Sequence, residues 1–116
     1  MYYVEKRIEV AMAHRLCLTY ESKCSHLHGH NAIVTVYCKS ETLNENGMVV
    51  DFSTVKDIVK GLLDHQYVND KVDFNPTAEN LARWICEQVT HCYKVQYAIE
   101  TAKAKITGTM MLVASM

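Results

Sequence analysis

Apolar and charged positions interleave at the start of the chain. In MYYVEKRIEVAMAH, residues 1–14, Tyr3, Ile8 and Val10 stand among charges, which predicts a strand. LCLTYESKCSHLHG, residues 16–29, is more polar and predicts a loop. HNAIVTVYCKS, residues 30–40, is rich in β-branched residues and predicts a second strand. ETLNENGMVVDF, residues 41–52, carries Asn46-Gly47, a strong hairpin-turn signal, before a short apolar run. The period then changes. Val55, Ile58, Val59, Leu62 and Leu63 follow a three-one-three-one spacing, so a helix is predicted over 54–65 with Ser53 as its N-cap. Leu81, Ile85 and Val89, four apart, predict a second helix over 77–92, capped by Thr77, with Glu79 at its positive end and Pro76 just outside. VQYAIET, residues 95–101, and AKITGTMMLVA, residues 104–114, are then predicted as two closing strands.

The order strand-strand-helix-helix-strand-strand predicts an α+β domain, an antiparallel sheet of four strands with two helices on one face. One domain over residues 1–116 is expected. So small an open sheet has two exposed edges, which predicts oligomerisation. Hydrophobic residues make up 49% and charged residues 22%, as in ordinary globular chains. The net charge of -1 offers no electrostatic case for nucleic acid or an acidic membrane surface. No apolar run approaches the ~20 residues that span a bilayer. MYYVEKRIEV has charges where a signal peptide needs an apolar core, so a cytoplasmic protein is expected. The cysteines, Cys17, Cys24, Cys38, Cys86 and Cys92, are odd in number and scattered, which argues against a disulfide framework. Cys38 and Cys86 lie in apolar patterns as buried fillers, whereas Cys24 has polar neighbours.

The chemistry concentrates in CSHLHGH, residues 24–30. On an extended backbone, His28 and His30 turn both imidazoles to one face. Gly29 between them removes bulk and permits close approach. His14, at the end of the first strand, is brought beside them by a hairpin. Three neutral imidazoles around a divalent ion, with one position open, is the arrangement of a catalytic zinc site; the alternative is a plain polar strand face. His26 is read as a bystander. Cys24 has three readings from spacing: a fourth ligand, a catalytic thiol whose pKa falls beside a cation, or a surface cysteine. Taken alone, Asp64-His65 is a helix C-terminus, where histidine suits the dipole, and Glu100 is an exposed strand residue.

The segments AHRL (13–16), KCSHLHGHN (23–31), GMVVDF (47–52), LDHQYVND (63–70) with NPTAEN (75–80), and IET (99–101) occur in this order. With them the chain resembles the 6-pyruvoyltetrahydropterin synthase family, most of all its bacterial carboxy branch. The resemblance implies a T-fold whose subunits close into a barrel, a homohexamer built as a dimer of trimers, and active sites between subunits. It implies Zn2+ held by His14, His28 and His30, a catalytic Cys24, an Asp64-His65 proton pair, and Glu100 anchoring the pterin ring with Thr101 beside it. The implied substrate is a pterin triphosphate, with neither nucleic acid nor membrane as direct partner. The implied reaction turns 7,8-dihydroneopterin triphosphate into 6-carboxy-5,6,7,8-tetrahydropterin, acetaldehyde and triphosphate, for 7-deazapurine and queuosine biosynthesis. Only Ser25, His26 and Leu27 separate Cys24 from His28, the shorter gap of the carboxy branch. The alternatives are the pyruvoyl synthase reaction, without carbon–carbon cleavage, and a non-catalytic zinc- or pterin-binding module. Val10, Met12 and Ala32 depart from the usual pattern and bear on packing and pocket shape, and the C-terminal AKAKITGTMMLVASM lacks the usual aromatic residues.

Overall fold

Alternation shapes the first half of the computed structural model, which describes the backbone of residues 1–97, 100–107 and 112–115 and the side chains of residues 1–91. Strand β1 (Tyr2–His14) pairs antiparallel with β2 (His28–Ser40), in register from Tyr2 opposite Ser40 to His14 opposite His28. Ile8, Val10 and Met12 point into the core, while Arg7 and Glu9, on either side of Ile8, are exposed, the period-two pattern of a half-covered sheet. β2 continues the core with Ala32, Val34 and Val36. Helix α1 (Phe52–Leu63) adds Val55, Val59 and Leu63 to the same cluster, and helix α2 (Ala78–Tyr97) adds Leu81, Ile85 and Val89. Cys38 and Cys86 are buried as expected, and burial pushes the Cys86 thiol up to about 11.

A two-residue strand β3 (Gln66–Tyr67) runs parallel to β1. Strands β4 (Glu100–Thr107) and β5 (Leu112–Ser115) follow antiparallel, giving the sheet order β3-β1-β2-β4-β5. The expected antiparallel sheet of four strands is therefore corrected to a mixed sheet. The added strand is too short to leave a periodic signal in the sequence.

Several boundaries also move. The α1 N-cap is Asp51, whose carboxylate accepts from the Ser53 N–H at 2.8 Å, and not Ser53. Thr77 does cap α2, its hydroxyl accepting from the Asn80 N–H at 3.2 Å. α2 then runs to Tyr97, so the first half of the expected strand 95–101 is helical. The expected strand 104–114 covers the end of β4 and most of β5, and its residues 108–111 lie outside the described residues. Asn46-Gly47 does make a turn. Gly47 has φ 79°, and the Asn44 side-chain oxygen accepts from the N–H groups of Asn46 and Met48. The turn leads through buried Val49 and Val50 into α1 and not into a hairpin strand.

The segment from Asp64 to Asn75 closes the outer edge of β1. The Ala11 N–H donates to Asp64 Oδ1 at 2.9 Å and the His65 N–H donates to the Ala11 carbonyl at 2.7 Å. β3 pairs with Met12 and Ala13. Asn69 then accepts from the Arg15 N–H at 2.9 Å and donates to the Arg15 carbonyl at 3.0 Å. Asn75 does the same to Cys17, at 2.8 and 2.9 Å. A side-chain amide carries the donor and acceptor of a peptide group, so two asparagines continue the ladder where β3 stops. Among the described residues, no helix is long and apolar enough to cross a membrane.

Candidate metal centre

The hairpin register sets His14 opposite His28, and Met12 opposite His30, so all three imidazoles fall on one face of the sheet at its end. Their ligand nitrogens lie within 4.8 Å of one another. His14 is 2% exposed, the most buried of the three, and its ring lies 4.6 Å from that of His28 and 5.0 Å from that of His30.

Each ring is turned by what its other nitrogen holds. His14 Nδ1 donates to the Pro76 carbonyl at 2.9 Å, and His28 Nδ1 donates to the His26 carbonyl at 2.9 Å. A carbonyl only accepts, so each Nδ1 carries the proton and each Nε2 is left as a lone pair. His30 Nε2 lies 3.1 Å from His14 Nε2, close to the about 3.3 Å that separates two nitrogens on a tetrahedral zinc ion. His30 Nδ1 is buried with no hydrogen-bond partner among the described residues. Burial lowers the pKa of His14; the charges of His28 and His30 push the same way, and the Pro76 hydrogen bond opposes them. Neutral imidazole is the metal-binding form. The donor set therefore fits a divalent first-row ion such as zinc, with positions left for water or substrate.

Gly29 is not sterically required between the two histidines. A Cβ there meets the Met12 carbonyl at 3.4 Å and the Ala13 Cβ at 4.0 Å, which are ordinary contacts. Cys24 sits in a 3-10 turn, Lys23–Ser25, where its N–H donates to the Ser22 hydroxyl at 3.2 Å. The group within ligand distance consists of the three imidazoles and does not include Cys24.

Asp64 and His65 lie past the last turn of α1 and not within it. Asp64 is the C-cap, and His65 takes a left-handed backbone, φ 57°, uncommon for a residue with a side chain. The Ala11 amide, with smaller help from His65 and Lys60, holds the Asp64 carboxyl below its usual range. Asp64 Oδ2 is 3.6 Å from His65 Nε2 and 3.9 Å from Lys60 Nζ. The His65 side chain is 84% exposed and stands at a groove of about 600 Å³, where Ala11, Ala13, Asn31 and Tyr67 also face. His30 also borders this groove, but Ala11, Ala13 and Asn31 alternate along the strands with Met12, His14 and His30, so the groove opens on the sheet face opposite the imidazoles.

A family model described as 6-pyruvoyl tetrahydropterin synthase matches residues 3–114. The chain belongs to this family. Among its relatives, the 6-carboxy-5,6,7,8-tetrahydropterin synthase of Synechocystis sp. is 40% identical over 94 residues, covering 73% of this chain and 72% of that one. The synthase of the same name from Bacillus subtilis is 31% identical over 93 residues, covering 74% of this chain and 64% of that one. The 6-pyruvoyl tetrahydropterin synthase of Caenorhabditis elegans superposes with a TM-score of 0.74 over 99% of this chain and 95% of its own, at 23% identity. That match carries the fold, including the mixed sheet with its two helices.

Within the family framework, Glu100 and Thr101 are placed by backbone alone. They begin β4 opposite Lys39 and Cys38, and their side chains lie outside the described residues. Sequence reasoning passed over Pro76, noted only as a helix boundary, and His26, set aside as a bystander; their carbonyls orient His14 and His28. It also gave no part to Asn69 or Asn75. Only the position of NPTAEN at the start of a helix hinted that this loop had a structural task.

Proposed function

We propose that the protein is a zinc-dependent lyase of the carboxy branch. It converts 7,8-dihydroneopterin triphosphate and water to 6-carboxy-5,6,7,8-tetrahydropterin, acetaldehyde and triphosphate, and the product enters 7-deazapurine and queuosine biosynthesis. The reading rests on one observation above all: three histidine nitrogens converge on one point, two of them fixed as bare lone pairs by backbone carbonyls. The relatives that carry the carboxy synthase name support the branch, as does the short gap between Cys24 and His28. In this proposal residues 1–116 form a single T-fold domain, and the protein works in the cytoplasm as a homohexamer with active sites between subunits.

His14, His28 and His30 hold the ion. Bound there, zinc supplies Lewis-acid polarisation of the substrate's side-chain hydroxyls. Cys24 Sγ, as thiolate, takes a proton from the side-chain carbon next to the ring. His65 carries protons between that position and solvent, with the Asp64 carboxylate 3.6 Å from its Nε2. Glu100 accepts two parallel hydrogen bonds from the amino-pyrimidine edge of the pterin, with Thr101 beside it.

Incubation with the triphosphate tests the reading. Acetaldehyde should appear in step with the carboxylated pterin. A pyruvoyl product without acetaldehyde would place the protein with the pyruvoyl synthases, and a zinc-loaded protein that turns nothing over would be a binding module. Cys24→Ala should abolish turnover while metal content stays near one ion per subunit, because Cys24 is outside the ligand group.

A further inference from the structure

Asn75 joins two parts of the site that are far apart in sequence. Its side-chain amide holds both backbone groups of Cys17, at 2.8 and 2.9 Å. The preceding residue, Leu16, donates its N–H to the Cys24 carbonyl at 2.8 Å. The following residue, Pro76, takes the proton of His14 Nδ1 on its carbonyl at 2.9 Å. Asn75 is itself anchored: its carbonyl accepts from the Thr77 N–H at 2.8 Å and from Asn80 Nδ2 at 2.9 Å. Those residues begin α2, which is fixed in the core by Leu81 and Ile85. Thr19, Tyr20 and Glu21, in the loop before Cys24, are exposed. The bond from Leu16 and the Ser22 cap thus remain to hold the turn that carries the thiol.

We infer that Asn75 is a positioning residue that sets both the metal ligand His14 and the thiol of Cys24 from one point at the start of α2. The meaning of Cys24 here rests on the lyase reading, but metal binding and thiol reactivity are measurable without it. Only an amide presents a donor and an acceptor side by side to a peptide unit. Asn75→Asp keeps the acceptor for the Cys17 N–H and sets a carboxylate oxygen against the Cys17 carbonyl. Asn75→Ala removes both bonds.

The test uses the full chain and two readouts. One is zinc affinity by competition with a chelator. The other is the rate of iodoacetamide attack on Cys24, resolved from the other cysteines by peptide mass spectrometry. Val59→Ala, in the core on α1, serves as a variant that lowers Tm without touching the site. Asn75→Ala should weaken zinc binding about tenfold, the scale of losing support around a metal ligand. It should also change the Cys24 alkylation rate, with Asn75→Asp between Ala and wild type, while Val59→Ala leaves both readouts as in wild type. If the Asn75 variants behave like Val59→Ala, with lower Tm but unchanged affinity and alkylation, Asn75 is merely structural and the inference falls. Should Asn75→Ala fail to fold, Asn75→Asp decides by the same comparison. A wild-type protein without lyase activity whose Asn75 variants still lose zinc affinity would sink the lyase reading and leave the positioning role standing.

Discussion

A histidine ligand is defined by two nitrogens, and the one that faces away from the ion fixes the one that faces it. His14 and His28 each give a proton to a carbonyl, and that choice of tautomer makes the cluster basic where it converges. Gly29, between the ligands, has room for a methyl group. Gly29→Ala should keep both the fold and the zinc, with Tm and metal content as in wild type, because the added methyl meets only ordinary contacts and points to the sheet face opposite the imidazoles. Loss of zinc in that variant would contradict the contact geometry. Asp64 has a pH signature. The Ala11 amide favours its ionised form in the folded state, so as pH falls the unfolded chain takes up the proton first. The stabilisation is whole above the unfolded value of 3.8 and is lost as pH drops through the lower folded value. Asp64→Asn keeps an oxygen for Ala11 and removes the charge. Its urea midpoint should fall less steeply than that of wild type between about pH 5 and pH 3, and parallel slopes would refute the assignment. At this scale the sequence shows the three histidines, because a His-x-His on a strand and a third at a hairpin partner's end leave a side-chain pattern. The carbonyls of His26 and Pro76 leave none, since every residue has a carbonyl.

Caps and periods decide where each element begins and stops. The α1 N-cap illustrates how close two polar residues can stand in the competition. Asp51 and Ser53 both have side chains suited to the role, but Asp51 accepts the first open N–H, from Ser53 itself. Asp51→Ala should therefore cost about 1 kcal/mol of stability in urea unfolding, and Ser53→Ala much less. Equal losses would mean that the helix starts later than the structure has it. The far end of α2 was hidden for a different reason. Val95 and Tyr97 favour strands by composition, yet the four-residue step of Leu81, Ile85 and Val89 continues in the sequence at Tyr93 and Tyr97. Periodicity outweighs local preference there, and the helix runs to Tyr97. β1 is legible from its alternation and β2 from its β-branched residues, although β2 begins at His28, two residues inside the expected loop. β3, with two residues, has no period to read.

The molecule is long for its size, with extents of 51 × 23 × 23 Å and a radius of gyration of 14.8 Å. A compact chain of about 100 residues has a radius near 13 Å. The β1–β2 ladder, thirteen residues long at about 3.4 Å per residue, accounts for such a shape. One sheet face is covered by helices, and on the other Tyr3, Glu5 and Arg7 are exposed in the single chain. Light scattering should give six times the mass of one chain for the proposed hexamer, and a monomer at working concentration would exclude sites shared between subunits. The imidazoles of the cluster and the groups that orient them come from positions far apart in sequence, such as His14 and Pro76, 62 residues apart. Whole-molecule organisation of this kind is legible only through the fold, because pairing of distant segments leaves no local trace.

The lining laid along β1 by the segment from Asp64 to Asn75 also determines where another copy can join. From Ala11 to Cys17 the backbone groups on that side already have partners, so an incoming strand finds nothing to bond. On that same side, from Tyr2 to Val10, no strand lies alongside among the described residues. Any seam sewn by main-chain bonds to this edge of the strand must therefore run over its first nine residues and stop short of the histidines.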